Sequence, residues 1–523
     1  MNDKTRRIAR HLVAWALLLL LVAAVAWLKY PRGEYNYLNS DATWHVVLTM
    51  NAYDETPVSV HKFLPLVSLG DARDKGISWG AAVWDQQGNY YYTSFSSMGF
   101  ALPYLVLKLL HLPFTPQSLY LFNTGLLWLS CGIVYELLSL WSGPRRRQWL
   151  MAVVLVAYVL TPEIMHGMGL TYWHQSLMQV FLPLQLLLYY RWVTTGRGFW
   201  AFAVLCLVCP YTEWSGYVAN AGYFLAEGYR WAKDHDKRHG KSLAVIAAAT
   251  VLAGVIFCVQ YLPVVGLENL FLIVGERFVA RSVSQNKTVF DLLAGYWVSA
   301  KALLLLAGAC LVVWAVLRLT GLRRGEAYTR EQKLVVFLSV FPLLENLLMQ
   351  QHALSYTYDR MKIALPLLLL LYGLLYSITA GRRAWLAGAG ALVVLVVCFF
   401  ARQYRTDTHF VWATDYKAGN EALFAYLDEN FDDSVLGCTA PVRGYVNMLA
   451  GRGCYEQVSD PYQLEEQAAE QDVRYIVLLT QQDAAGTDGG YCYCMGAQVL
   501  DRTTGQLCTI TNLHSGIEVS DWK

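Results

Sequence analysis

Between Met1 and about Arg402 the chain is a ladder of apolar segments whose short connecting loops alternate between Arg/Lys-rich and nearly Arg/Lys-free. Under the positive-inside rule the basic loops lie in the cytoplasm, so this alternation sets both class and topology: a polytopic α-helical membrane protein. The first apolar run, Leu12 to Leu28, follows Lys4, Arg6, Arg7 and Arg10 and reads as a helix leaving the cytoplasm. A cleavable signal peptide is the alternative, because Ala24-Val25-Ala26 has the form of a small-residue cleavage site.

Successive cytoplasmic loops are marked by Arg145 to Arg147, Arg191 with Arg197, Arg230 to Lys241, Arg318 to Lys333, and Arg382-Arg383. The apolar segments beside them predict spans near 117–140, 149–164, 176–192, 199–213, 215–230, 243–262, 293–317, 334–350, 361–379 and 384–401. With the first helix that makes about eleven crossings, an odd number, so the N-terminus is expected inside and the tail outside. The segment Met98 to Leu112 contains Pro103, Lys108 and His111 and reads as a half-embedded interfacial helix closing a long outer loop, 29–117. Two domains follow: a membrane domain, 1–402, and an extracytoplasmic α/β domain, 403–523.

Composition agrees, with 56% hydrophobic residues and 18 Trp beside 34 Tyr, a surplus suited to bilayer interfaces. The basic residues are dispersed among loops instead of forming one stripe, which excludes a nucleic-acid binder. In the tail, Ala418 to Phe431 and Pro461 to Gln471 have helical character, and Ser434 to Thr439 and Val473 to Thr480 read as strands. Its cysteines Cys438, Cys454, Cys492, Cys494 and Cys508 favour one or two disulfides with one thiol left over. Zinc is the competing reading, although Cys492-Tyr493-Cys494 lacks the usual two-residue gap.

Candidate chemistry lies in the outer loops. If the stretch Tyr37 to His45 is helical, Asp41 and His45 share one side, with Trp44 adjacent. Asp41 is then a general base, His45 its hydrogen-bonding neighbour and Trp44 a stacking platform for a sugar ring. The plainer alternative makes Asp41 a helix N-cap and Trp44 an interfacial anchor. Two outer loops also carry cations against the topological trend: Arg277, Arg281 and Lys287 in one, and His352, Arg360 and Lys362 in the other. Such cations suit a lipid-linked phosphate; alternatively they reach to headgroups or pair with Glu276 and Asp359. Glu163, Glu213, Glu345, Trp173 and His174 are polar or amphipathic residues near outer span ends, and ionisable groups at that depth tend to face a cavity.

This layout resembles the GT-C superfamily of integral membrane glycosyltransferases that use polyprenyl- or dolichyl-phosphate sugars. The shared features are a cytoplasmic N-terminus, a first outer loop opening on Asp41, a later outer loop with His352 and Arg360 before a span, and a C-terminal extracytoplasmic α/β domain. The resemblance implies Asp41 as catalytic base assisted by His45, and Arg277, Arg281, His352, Arg360 and Lys362 as holders of the donor phosphate. Trp44, Tyr92, Glu163, Trp173 and His174 become the candidates for sugar and acceptor contacts. The Trp-Trp-Asp signature of oligosaccharyltransferases is absent from the tail, which favours single-sugar transfer. The implied reaction is an inverting displacement from a polyprenyl-phosphate donor to an envelope glycan or lipid, at the periplasmic face of a bacterial plasma membrane. No cofactor is required, although a divalent metal remains compatible. A lipid-linked glycan transporter and a polysaccharide polymerase or ligase are the alternatives.

Overall fold

The apolar segments are helices, and their ends follow from proline and capping residues. The computed structural model describes residues 3–29, 40–68, 82–85, 88–142, 148–282, 287–322, 328–379, 383–404, 414–439, 451, 453–482, 494–513 and 516–523. The N-terminal stretch runs through α1 (Asp3–Lys29), α2 (Ser40–Glu55), α3 (Val58–His61), the hairpin β1 (Ala82–Trp84) and β2 (Tyr90–Tyr92), and α4 (Met98–Leu109). Next come α5 (Pro116–Ser142), α6 (Gln148–Val159) and α7 (Pro162–Met165). Pro162 has no N–H to give to a continuing helix, so α6 stops and α7 restarts with a bend of 69°. A π-helical turn, His166–Leu170, follows before α8 (His174–Thr195).

The chain continues as α9 (Phe199–Thr212), α10 (Ser215–Asp234), α11 (Lys237–Val265), α12 (Leu267–Ser282) and α13 (Val289–Leu319). Capping boxes open α13 at Thr288/Asp291 and α14 (Arg330–Val340) at Thr329/Gln332, where each partner satisfies an otherwise unpaired terminal N–H. Pro342 then turns the chain through a 3₁₀ segment into α15 (Leu344–Leu348) and α16 (Gln350–Ser355). A 3₁₀ turn, Thr357–Ile363, feeds α17 (Ala364–Ile378), and α18 (Arg383–Tyr404) completes the apolar part.

Among the described residues five helices are long and apolar enough to cross a bilayer: Ile8–Lys29, Pro116–Ser142, Lys237–Val265, Val289–Leu319 and Thr357–Ile378. The bent pair Gln148–Val159 and Pro162–Leu170 makes a sixth if taken as one span. Each of the eleven apolar segments is helical, but α9 has 14 residues, which at 1.5 Å per residue falls short of a hydrocarbon core of roughly 30 Å. The helix expected over Met98 to Leu112 is present as α4; α12 had no counterpart among the expected elements.

The chain divides into two compact units. One comprises Met1–Tyr30, Tyr120–Cys258 and Phe278–Asp407; its core is built on α17, buried along most of its length and packed against α6, α13 and α14. The other comprises Pro31–Leu119, Val259–Arg277 and Thr408–Lys523, so the long outer loop and the tail share a unit.

In that second unit the tail forms a six-stranded mixed sheet flanked by α19 (Thr414–Phe431). Its order is β4 (Tyr455–Glu456), β3 (Ser434–Cys438), β5 (Tyr475–Gln482), β6 (Cys494–Asp501), β7 (Gln506–Leu513) and β8 (Gly516–Val519). β3 runs parallel to both neighbours, and β5 to β8 form an antiparallel meander. Ile476 and Leu478 join Val435, Leu464 and Ala468 in one apolar cluster, while Val477 and Leu479, on the other face by strand alternation, are equally buried. The two strands and the first helix expected in the tail are present with ends shifted by a few residues, and the second helix is a 3₁₀ turn, Pro461–Leu464, running into Glu465–Glu470; β4 and β6 to β8 were not anticipated. Cys508 on β7 is a buried free thiol, and the side chains of Cys492 and Cys494 lie outside the described residues.

At the sheet end Arg474 donates two hydrogen bonds to Asp501, at 3.3 and 2.7 Å, and this guanidinium holds the Asp501 carboxyl down at about 2. A carboxyl depressed on folding contributes stability above its unfolded value near 3.8 and loses it as pH falls to about 2. Unfolding of the sheet followed by circular dichroism should therefore show an acid limb over that window, and Asp501→Asn should flatten it.

Candidate functional site

The chemistry-bearing residues of the first unit converge where three interrupted helices meet. The Pro162 break sets Glu163 on α7, the α9–α10 junction sets Glu213, and the Pro342 interruption sets Glu345 and Asn346 on α15. Opposite them lies the 3₁₀ turn before α17, whose three-residue period aligns Asp359 with Lys362. Gly167 permits this approach: a Cβ there would lie 2.5 Å from Met361 Sδ and 2.9 Å from Tyr358 Cβ.

Lys362 is the hub. Its Nζ donates to Asn346 Oδ1 at 3.0 Å and to Glu345, and lies 2.9 Å from Asp359 Oδ1 and 3.8 Å from Glu213 Oε1. Arg360 donates from Nε to Ser299 Oγ at 2.8 Å and from Nη1 to the Ala353 carbonyl at 2.8 Å, with Nη2 3.5 Å from Glu163 Oε1. Ser299 donates on to that Glu163 oxygen at 2.6 Å, and Gln175 donates to Asp359 Oδ1 at 3.1 Å. His352 Nδ1 stands 3.4 Å from Asp359 Oδ2. All of these side chains are buried and form two neighbouring water-poor sets: Lys362 with Glu213, Glu345, Asp359, Asn346, Gln175 and His352, and Arg360 with Glu163 and Ser299.

Glu213, Glu345 and Asp359 have the mutual spacing of a metal-ligand group. The Lys362 ammonium already contacts all three, so a divalent ion would have to displace it. At the edge of the same region the buried Lys29, ending α1, donates from Nζ to the Met165 carbonyl at 2.8 Å and fastens α1 to the turn bearing Glu163.

Of the five proposed phosphate-binding cations, His352, Arg360 and Lys362 meet in this cluster, and Arg281, in the last turn of α12, is close enough to act on His352 electrostatically. Arg277 belongs to the second unit. Glu163 is in the cluster; Trp173 and His174 are buried at the start of α8, rings 4.9 Å apart, immediately before Gln175. In the second unit the His45 ring packs 4.6 Å from Tyr92 and 5.3 Å from Phe100. Trp44 is only 6% exposed, which leaves no open face for a stacked sugar in this conformation. Asp41 falls in the first turn of α2, as the helical reading expected; its side chain lies outside the described residues. Ser299, Asn346, Gln175 and Tyr296, whose hydroxyl accepts from Asn346 Nδ2 at 2.7 Å, escaped the sequence reading, the signal being only an amide, hydroxyl or phenol inside an apolar run.

Burial pushes the His352 pKa below its usual 6.5, outweighing the pull of Asp359 upward, while Arg281 and Lys362 reinforce the depression. A histidine depressed on folding leaves the unfolded chain to take the proton first, so stability is full above about 6.5 and falls as pH drops below it. Thermal midpoints in detergent from pH 8 to 5 should decline for the native chain and decline less for His352→Asn.

No protein-family model and no curated protein sequence matches this chain.

Proposed function

We propose that the chain is a membrane glycosyltransferase of GT-C type, crossing a bacterial plasma membrane about eleven times, that moves a sugar from a polyprenyl-phosphate donor to an envelope glycan or lipid on the outer side. The observation that carries this reading is that one 3₁₀ turn, Thr357–Ile363, presents Arg360 to Glu163 and Lys362, with His352 beside Asp359, to a second set of buried acids. Ionisable groups are costly at membrane depth and persist where they serve a substrate path. Two cations with a histidine offer a phosphate the charge-assisted donors that stabilise its departure.

In the proposed reaction the acceptor hydroxyl oxygen attacks the anomeric carbon and its proton passes to Asp41. The bond from that carbon to the donor phosphate breaks, the electron pair leaves on the phosphate oxygen, and the configuration inverts. For a phosphate to reach Arg360 or Lys362 their carboxylate partners must yield, by accepting protons or by moving. Mass spectrometry of the lipid carried through purification, followed by assay of that lipid as donor, tests the reading: a polyprenyl-phosphate monosaccharide consumed with release of polyprenyl phosphate is the expected result. Its recovery unconsumed in the presence of envelope acceptors argues against transfer.

A second reading, a transporter of lipid-linked glycans, is favoured by the saturation of the cluster. Each nitrogen of Arg360 and the Lys362 ammonium already contacts a protein oxygen, as expected of a network that breaks and re-forms between states. Transport predicts flux without bond cleavage.

A further inference from the structure

Beside α1, away from the charged cluster, the first unit contains a cavity of about 610 Å³, within the size range of ligand sites. Its origin lies in how α1 is held. His11 Nδ1 lies 2.6 Å from Glu136 Oε1 on α5, Trp15 Nε1 donates to the same oxygen at 3.2 Å, and Trp128 Nε1 donates to the Trp15 carbonyl at 3.0 Å. At Gly132 a Cβ would lie 2.2 Å from the Trp15 ring, so only glycine allows this approach. These contacts commit one face of α1 to α5. The stripe at Arg10, Val13, Leu17 and Leu21, at helical spacing on another face, faces the cavity together with Trp149 and Val156 of α6.

The lining is polar at one end and apolar at the other. Arg10 and Gln148 come from the N-terminal parts of α1 and α6, and Leu17, Leu21 and Val156 from further along. Arg10 is exposed and has no ion-pair partner among the described residues. The first turn of α6 also leaves backbone N–H groups unbonded within the helix, at its positive dipole end. The space is open on one side, with Val13 59% and Leu17 60% exposed, and such an apolar face calls for hydrocarbon to cover it.

We propose that this cavity is a binding site for one anionic glycerophospholipid, an acyl chain lying between α1 and α6 and the phosphate held by the Arg10 guanidinium. The site is independent of the charged cluster and of the glycosyltransferase reading.

The test uses the full-length chain in mixed micelles of equal phosphatidylglycerol and phosphatidylcholine, with the retained lipid measured by native mass spectrometry. The native chain should keep one phospholipid with phosphatidylglycerol preferred. Arg10→Gln, an exposed change that leaves the α1–α5 contacts intact, should lower that preference about fivefold. Leu17→Trp, which occupies the slot, should release both lipids while the size-exclusion profile is unchanged. Equal retention of the two lipids by the native chain, an Arg10→Gln variant with undiminished preference, or displacement of phosphatidylglycerol by equimolar undecaprenyl phosphate would each overturn the assignment.

Discussion

Replacing Lys362 by methionine should be the most damaging single change in the membrane half. The substitution removes the cation that Glu213, Glu345 and Asp359 share and leaves three buried carboxylates crowded together. Removing one partner of a buried ion pair costs about 3–5 kcal/mol, because the remaining charge keeps its desolvation penalty without compensation. That is a large fraction of the stability of any single domain. The expected result is a sharp fall in thermal midpoint and yield in detergent. The double variant Lys362→Met/Glu345→Gln should recover part of the loss, since one of the stranded charges is gone. A Lys362→Met chain that melts with the native one would mean that water reaches the cluster.

The second large effect concerns chemistry. Asp41→Asn preserves shape and hydrogen-bonding capacity but removes the base, so in the proposed mechanism sugar transfer should fall by roughly 10²–10⁴ while the lipid donor still binds. The decisive comparison is donor retention, by co-purified lipid, against turnover, by released polyprenyl phosphate. A transporter would keep its flux in the same variant, because translocation moves no proton from an acceptor hydroxyl. Undiminished sugar transfer by Asp41→Asn would remove the mechanism entirely.

Helix positions were legible because a run of apolar residues between loops has few alternatives where water is absent: backbone groups must bond within the segment. The α6–α7 break was less legible, since Thr161 and Pro162 sit inside an apolar run that reads as one span. In the tail, β3 and β5 announced themselves as short apolar runs, whereas β7 interleaves Gln, Thr and Asn with its apolar residues and β8 has only Ile517 and Val519 in four positions, so these strands found their places by pairing. α12 was missed because its charges, Glu268, Glu276, Arg277 and Arg281, read as a loop.

The site divides in the same way. Glu163, His352, Arg360 and Lys362 stood out as costly residues near apolar segments, and their chemical types were enough to nominate them. One neighbour was readable, since the pairing with Asp359 weighed as the alternative is made by Lys362 and His352; the others were not. The same Arg360 could have met a phosphate, a headgroup or a carboxylate, and only the packing of α7, α13, α16 and the 3₁₀ turn assigned it to Glu163, Ser299 and the Ala353 carbonyl.

The sequence by itself determined that this chain is built from apolar helices with a small terminal sheet, because hydrophobic period and backbone hydrogen bonding are local properties written residue by residue. Only the tertiary structure decided that four acids gather around Lys362 and Arg360, and that a slot remains beside α1. Electrostatic partners and voids depend on distances between segments remote in the chain, and those distances exist only once the helices have packed.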